Sequence, residues 1–247
     1  MSGFLAVFER EIRAYFVSPM AYLILTFFLI GNGIVFTIIV SYLNDPRFGQ
    51  QITPFQLFFD SFFYWLVLIV VIPILTMRLI SEELKTGTIE PLMTAPVSAE
   101  QVVLAKYFAA LAFYVFLWLP TLAYAFIVYR NSGDLDWGPI LGGYAGVLGM
   151  GAMLLAVGLF ASTFSKNQIV AAMGTFAMVF AIFVLSFLEN LASGETAKSV
   201  LGYVNLLGHM EDFAKGIIDT RHLVYYASTA ALFLFLTSRA LAARKWR

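Results

Sequence analysis

Six long apolar stretches, separated by polar segments, constrain this chain more than any other feature of its sequence. The hydrocarbon core of a bilayer is about 30 Å thick, and a helix needs about 20 mostly apolar residues to cross it. Because the backbone must satisfy its own hydrogen bonds in that layer, only α-helices and closed β-barrels span it. Barrel strands alternate over segments of about ten residues, and these stretches do not alternate. The sequence therefore predicts an all-α integral membrane protein.

The predicted transmembrane domain covers the whole chain, 1–247. Composition agrees with it, since 61% of the residues are hydrophobic and 12% are charged, against about 45–50% and about 25% in soluble domains. Lys and Arg equal Asp and Glu at 15 each, a balance that does not favour a nucleic-acid partner. The predicted spans are 22–42, 60–77, 107–129, 139–161, 168–188 and 223–238.

Lys and Arg are enriched in the cytoplasmic loops of membrane proteins, and this bias predicts the orientation. With the amino terminus inside, ten of the 15 Lys and Arg residues fall in cytoplasmic segments and five fall outside. We therefore expect both ends of the chain and the polar segment 78–106 in the cytoplasm, and the polar segment 189–222 outside. Charges within the first apolar stretch also lead us to expect no cleaved signal peptide.

Residues 1–19 predict an interfacial elbow helix ahead of the first span. Apolar residues recur there at helical spacing, with Glu9, Arg10 and Arg13 on the opposite face. The stretch is too short and too charged to cross a bilayer, which favours a helix lying in the membrane interface. A polar leader of the first span is the alternative.

The predicted span interiors contain no ionisable residue. A charge at the bilayer centre costs about 2.5–3.5 kcal/mol even on mild scales, and where one occurs it often marks an ion pathway. The Gly-Lys pair of a P-loop is missing, as are the HExxH and GxSxG motifs. There is no cysteine to form a thiolate metal site, and we interpret His209 and His222 as ordinary surface residues. We therefore predict no catalytic, cofactor or metal site in this chain.

Small and polar residues inside two of the spans indicate close helix contacts. Asn32 lies mid-span between two glycines, and Gly142 and Gly146 belong to a run with glycine at every fourth position of span four. Such residues let helix backbones approach each other and form hydrogen bonds between helices. They predict either packing within the chain or an interface with a second subunit, and the sequence leaves both open.

The polar segment 78–106 is the most informative part of the chain. Gly87 permits a turn, and Ala95-Pro96 ends the short helix expected after it. Ser98 and Gln101 then form the capping-box pattern of the next helix. The segment thus predicts a short amphipathic helix between two turns. That helix either rests on lipid as an interfacial loop helix or inserts into a groove of a cytoplasmic partner.

The order of residues in this segment also resembles a known family signature. The resembling residues are Arg78, Glu82, Glu83, Lys85, Thr86, Gly87, Thr88, Ile89, Glu90, Leu92, Met93, Pro96, Val97, Ser98 and Lys106. They look like the signature of type 2 ABC-exporter permeases, and the run 11–19 is similar to that family's elbow helix. The last loop, 206–225, resembles the branch of the gliding-motility permease GldF, with the copper-site maturation permease NosY as a more distant relative.

The resemblance implies the transmembrane half of an ATP-driven exporter in the cell inner membrane. Two halves would pair, as a homodimer or with an unlike subunit, and each would bind a separate ABC ATPase that holds ATP and Mg²⁺. A coupling helix at 88–94 would sit in the ATPase, and short extracytoplasmic helices would lie between spans five and six. The residues expected at the ATPase are Glu82, Glu83, Lys85, Gly87, Thr88, Ile89, Glu90, Leu92, Met93 and Pro96.

The GldF branch implies a gliding-motility or secretion-linked complex as the setting. Two other functions stay open at this point. A membrane scaffold or assembly factor without transport is excluded by no sequence feature. A stand-alone ion-coupled carrier would have been favoured by an acidic residue inside a span, which the predicted spans lack.

Overall fold

The computed structural model describes residues 3–44, 52–94, 97–132, 135–191 and 194–244. Every regular element in these ranges is a helix. Within them, six helical stretches are long and apolar enough to cross a membrane. The predicted all-α fold with six candidate transmembrane helices is therefore confirmed.

The helices follow one another with short connections, and a 3₁₀ turn, Leu119–Leu122, interrupts span three. Spans one to six are formed by α2, α4, α7 with α8, α9, α10 and α13. The helices are α1 (Gly3–Val17), α2 (Pro19–Leu43), α3 (Pro54–Asp60), α4 (Phe62–Thr76), α5 (Ser81–Thr86), α6 (Ile89–Thr94), α7 (Ala99–Trp118), α8 (Ala123–Ser132), α9 (Trp137–Ala161), α10 (Gln168–Leu191), α11 (Glu195–Val204), α12 (Leu206–Ala214) and α13 (Thr220–Arg244).

Local sequence explains where several of these helices begin and break. Span one starts at Pro19, because proline is well tolerated at the first helical position. The short helix α3, which the sequence did not predict, is capped by the Thr53 hydroxyl, which accepts a hydrogen bond from the Gln56 backbone N–H at 3.2 Å. Pro120 lies in the 3₁₀ turn of span three. Because proline has no backbone N–H, it cannot make the α-helical hydrogen bond at this position, and the α-helix is interrupted there.

The helix α9 forms the centre of the bundle and packs against α3, α4, α7, α10, α12 and α13. Its glycines make this possible, because aromatic side chains of neighbouring helices occupy the space where a Cβ would be. A Cβ on Gly146 would lie 2.8 Å from the Phe213 ring, and one on Gly142 would overlap the Phe213 carbonyl. Both glycines therefore pack against α12 of the same chain. Asn32 is also buried, and its amide donates to the Phe28 carbonyl at 2.7 Å within α2.

Different short helices cover the two ends of the bundle. The helices α1, α5 and α6 lie at one end, and α3, α11 and α12 lie at the other. Segments that were predicted on opposite sides of the membrane therefore lie at opposite ends of the bundle. Two contacts fix α12 to span five: the Ser186 hydroxyl accepts from the Leu206 N–H at 3.0 Å, and the Asn205 amide donates to Glu189 at 2.5 Å. The outer faces of α2 and α10 expose large apolar side chains, as expected for helices in contact with lipid.

Candidate partner-binding site

The polar segment between spans two and three folds as two short helices joined by a tight turn. The first, α5, ends at Thr86, and Gly87 follows it with φ of 73°, a left-handed conformation that suits glycine because it has no Cβ. The second, α6, begins at Ile89. A Cβ on Gly87 would have no atom within 4 Å, so the turn projects from the molecule. The turn and α6 lie where the sequence predicted a turn and a short helix. The helix α5 was not predicted.

The tip of this turn is exposed, whereas the apolar side chains behind it face the fold. Ile89 and Leu92 are half-buried and pack against the hydrophobic core, so the predicted apolar patch belongs partly to the protein's own packing. The side chains of Glu90 and Met93, and the whole of Pro96, lie outside the described residues. The exposed residues of α5 and of the turn after it are Glu82, Lys85, Thr86, Gly87 and Thr88.

The helix after this segment begins at a capping box. The Gln101 N–H donates to the Ser98 hydroxyl at 3.2 Å, and the Gln101 side chain accepts from the Ser98 N–H at 3.1 Å. Both bonds were predicted from the Ser-x-x-Gln spacing. The box satisfies backbone N–H groups that the first turn of α7 would otherwise leave unpaired. It therefore fixes where span three starts.

The helix α1 forms where the elbow helix was predicted, and it packs lengthwise on α7. At its start, a Cβ on Gly3 would lie 2.6 Å from the Val97 side chain. At its end, the Tyr15 ring stacks on Phe113 with 5.0 Å between centroids, and Phe16 meets the same ring edge to face at 5.6 Å. These contacts advance along both helices in the same direction, so span three supports α1 over its whole length. Its place in the membrane interface stays a prediction.

Four charged side chains from three helices meet beside α7. We call Arg10 and Glu11 of α1, Glu83 of α5 and Lys106 of α7 the ion cluster. Lys106 Nζ lies 2.9 Å from Oε1 of Glu11 and 3.0 Å from Oε1 of Glu83. Arg10 Nη2 lies 2.7 Å and 2.5 Å from the same two oxygens. Two cations thus face two anions, and the cluster has no net charge.

The surroundings of Arg10 and Glu11 favour the charged forms of these two side chains. Burial disfavours the carboxylate of Glu11, but Lys106 and Arg10 outweigh it and hold the pKa of Glu11 below its usual range. Burial also opposes the charge of Arg10, and Glu11 and Glu83 raise the pKa of Arg10 in spite of it. Lys106 is only 1% exposed. A buried cation of this kind is stable only because both carboxylates are paired with it.

A cavity of about 370 Å³ borders the ion cluster, between α1, α5 and the start of span three. Oε2 of Glu83 is buried and has no hydrogen-bond partner among the described residues. An unpaired buried carboxylate oxygen costs free energy. The cavity gives a donor access to Glu83, while Thr86 and Thr88 form its rim beside the exposed turn.

The sequence over five of the six spans matches a known family. Residues 16–184 match the model of the ABC-2 family transporter protein, which covers span one to span five and the segment between spans two and three. The chain belongs to the ABC-2 transporter family. None of the curated proteins matches the sequence significantly.

Membership makes this ABC-2 protein a multi-pass membrane component of a transporter. It also implies an ABC ATPase partner and a lipid bilayer. The last loop, on which the likeness to the GldF and NosY branches depended most, lies beyond the matched residues. That branch assignment therefore stays a prediction.

Glu9, Arg10 and Arg13, which were predicted as the polar face of the elbow, have different surroundings in the structure. Arg10 joins the ion cluster, whereas Arg13 pairs with Glu9 at 2.5 Å on the exposed surface. Glu11 and Lys106 were not predicted as site residues. They are 95 positions apart, and although Lys106 belongs to the segment that resembles the family signature, no sequence pattern pairs it with Glu11.

A second polar site lies at the opposite end of the ABC-2 protein, and we call it the histidine pocket. His209 of α12 stacks on His222 of α13 with 3.9 Å between ring centroids, and His222 Nε2 lies 3.0 Å from Oδ2 of Asp212. With Asp219 and Arg221 they line a cavity of about 310 Å³. No group of three His, Cys, Asp or Glu residues among the described positions could hold a metal ion.

The interpretation of both histidines as surface residues is wrong for His209. This side chain is 3% exposed, and its Nδ1 has no hydrogen-bond partner in the described part of the chain. Burial and the neighbouring His222 lower the pKa of His209 to about 4, and Asp212 and Asp219 oppose this in part. The burial of His209 arises from tertiary packing, because α12 folds back over α9 and the start of α13.

Proposed function

We propose that this chain is the permease subunit of an ATP-driven ABC exporter and that a separate ATPase docks on the turn between α5 and α6. The observation that carries the proposal is the ABC-2 match over residues 16–184, together with an exposed turn inside that range. In this proposal the turn and both chain ends are cytoplasmic, in the inner membrane, and ATP and Mg²⁺ are bound by the partner.

The anchoring of the turn supports a coupling role. A loop that only rested on lipid would need no rigid connection to the spans. Here Glu83 of α5 is bound to Lys106 of span three and to Arg10 of α1. A push on the turn by the ATPase would therefore displace α5, α1 and α7 together.

The transport step follows from this connection. ATP binding draws two ATPases together, and the turn of each permease half moves with its ATPase. Spans one, two and five then shift to open a path between the halves. The second half is either another copy of this chain or an unlike membrane subunit. The loop 206–225 resembles GldF, which supports a setting in a gliding-motility or secretion complex.

Co-purification with an ATPase tests the proposal directly. The full chain is co-expressed with candidate P-loop ATPases, purified in detergent, and assayed for bound ATPase and for ATP hydrolysis. Two variants probe the turn: Lys85→Glu reverses an exposed charge, and Leu92→Asp places a charge in the half-buried patch. Lys215→Glu and Leu207→Asp are matched controls, with the same exposure classes at the opposite end of the bundle.

We expect the wild type and both controls to retain one ATPase and both turn variants to lose it, with all five proteins expressed equally in membranes. If Leu207→Asp lost the ATPase as completely as Leu92→Asp, the added charge would merely unfold the protein. The exposed variant Lys85→Glu would then decide whether the turn binds the ATPase. Recovery of no ATPase by the wild type would contradict the exporter proposal and favour the scaffold. Gradient-driven transport by the chain without any partner would favour the ion-coupled carrier.

A further inference from the structure

A half-enclosed cavity of about 180 Å³ lies at the end of the bundle that carries α1. Its walls come from the start of span one (Met20, Ala21 and Ile24), from the end of span two (Ile74), and from the first residues after it. Ala21 and Ile24 are buried, and Met20 is exposed at the mouth. The cavity therefore combines an apolar wall, continuous with two spans, with a polar rim.

Arg78 is the cation of this rim. Its guanidinium lies over the Tyr15 ring at 4.5 Å from the centroid, and its Nη2 makes one long hydrogen bond, 3.4 Å, to the Ala14 carbonyl. No ion pair joins Arg78 to any carboxylate among the described residues. A guanidinium placed over an aromatic ring by a cation–π contact keeps N–H groups available for bidentate binding of a phosphate.

The cavity lies where the most apolar part of span two ends. Arg78 lies two residues beyond the end of α4, and the side chains of Ile24 and Ile74 extend the cavity toward the spans. Basic pockets between transmembrane helices at this depth suit lipid headgroups. A free phosphate ion would lose its water against the apolar wall and gain no contact from it.

We infer that this cavity binds the headgroup of a membrane phospholipid, with the phosphate on Arg78 and the first acyl carbons on Ile24 and Ile74. Glu82 lines the same cavity and forms no ion pair among the described residues. A headgroup with a primary ammonium, as in phosphatidylethanolamine, satisfies both charges. The inference does not depend on an ATPase partner.

Lipid titration of the purified full chain tests this, with native mass spectrometry to count bound lipids. Phosphatidylethanolamine, phosphatidylcholine and phosphatidylglycerol are compared, and inorganic phosphate is added as a competitor. Arg78→Gln should weaken binding of all three lipids about tenfold or more, since charge-assisted hydrogen bonds are lost. Arg13→Gln, which removes an exposed cation of the same end, should bind lipid as the wild type does. Glu82→Gln should weaken only phosphatidylethanolamine.

A second variant keeps the test decisive if Arg78→Gln does not fold. Met20→Trp narrows the mouth at an exposed position and leaves Arg78 in place, and it should also reduce lipid binding. Unchanged binding in Arg78→Gln and in Met20→Trp would overturn the site. Displacement of lipid by inorganic phosphate at the same concentration would show that the site takes a free anion. If Glu82→Gln weakened binding of all three lipids equally, the proposed contact between Glu82 and the headgroup ammonium would be overturned.

Discussion

Nζ of Lys106 lies 2.9 Å from Oε1 of Glu11, a residue 95 positions earlier in the chain. This pair joins the elbow helix to span three, and the contact of Lys106 with Glu83 at 3.0 Å joins both to the exposed turn. Three elements that the sequence presents separately thus form one mechanical unit. The unit holds the proposed docking turn at a fixed position relative to the spans.

Replacing Lys106 by methionine should destabilise the protein strongly. The change leaves Glu11 and Glu83 buried without their main partner, and breaking a buried ion pair costs about 3–5 kcal/mol. Thermal unfolding in detergent measures the effect. Lys215→Met is the control, because Lys215 pairs with Glu211 on the surface and exposed ion pairs contribute little to stability. Equal stability of the two variants would contradict a buried cluster.

Arg10 and Arg13 form a matched pair of elbow cations with different environments. Arg10→Gln removes charge-assisted hydrogen bonds to Glu11 and Glu83 and should cost about 1–2 kcal/mol. Arg13→Gln removes only the exposed pair with Glu9 and should cost about 0.5 kcal/mol or less. The unfolding free energies of both variants test this. A larger loss for Arg13→Gln would mean that α1 is oriented differently on α7.

His209 should make stability depend on pH at the end of the bundle that carries α12. Its pKa of about 4 in the folded protein is below the unfolded value of about 6.5. Protonation therefore favours the unfolded state, and the stabilising contribution, present above about pH 6.5, is lost as pH falls toward about 4. We expect a loss of about 2–3 kcal/mol over that range. The groups that face His209 are His222, Asp212 and Asp219.

Melting temperatures from about pH 7.5 to about pH 5 test this in wild type and His209→Gln. Glutamine keeps a polar side chain without a titrating proton, so the variant should show a flatter pH profile. Arg221→Gln, in the same pocket but exposed, should keep the wild-type profile. A wild-type profile in His209→Gln would assign the pH dependence to other groups.

Gly142 should not tolerate a methyl group. An alanine Cβ would overlap the Phe213 carbonyl and lie 2.9 Å from Cα of Gly216, and overpacking typically costs about 1–3 kcal/mol. Gly174→Ala is the control, because a Cβ there meets no atom within 4 Å. That variant should be neutral or up to about 1 kcal/mol more stable. Unfolding free energies compare the two, and equal effects would contradict close packing of α12 on α9.

Much of the fold could be predicted because transmembrane helices are specified locally. Length and hydropathy located the six spans, and the Ser98–Gln101 spacing identified the capping box. The turn at Gly87 was predictable for the same reason, since only glycine adopts its positive φ at no cost. The short helix α3 was missed, because Thr53-Pro54 is equally typical of a turn and of a helix start.

The candidate site was predicted only in part. The exposed turn follows from a local pattern, and its role at an ATPase rests on the family resemblance. The apolar patch of Ile89, Leu92 and Met93 was expected to face lipid or a partner, and Ile89 and Leu92 pack in part against the protein's own core. Whether a hydrophobic side chain on a short helix faces the core or a partner depends on neighbours that periodicity does not identify.

The sequence by itself determined that this chain crosses a membrane six times as α-helices and which segments join them. Lipid requires backbone hydrogen bonds to close within each helix, so this information is local. Only the tertiary structure decided that Glu11, Glu83 and Lys106 meet, that His209 is buried, and that Gly142 and Gly146 pack against Phe213. These contacts depend on how separate helices pack against one another. The local sequence around a side chain does not indicate which distant residue it will contact.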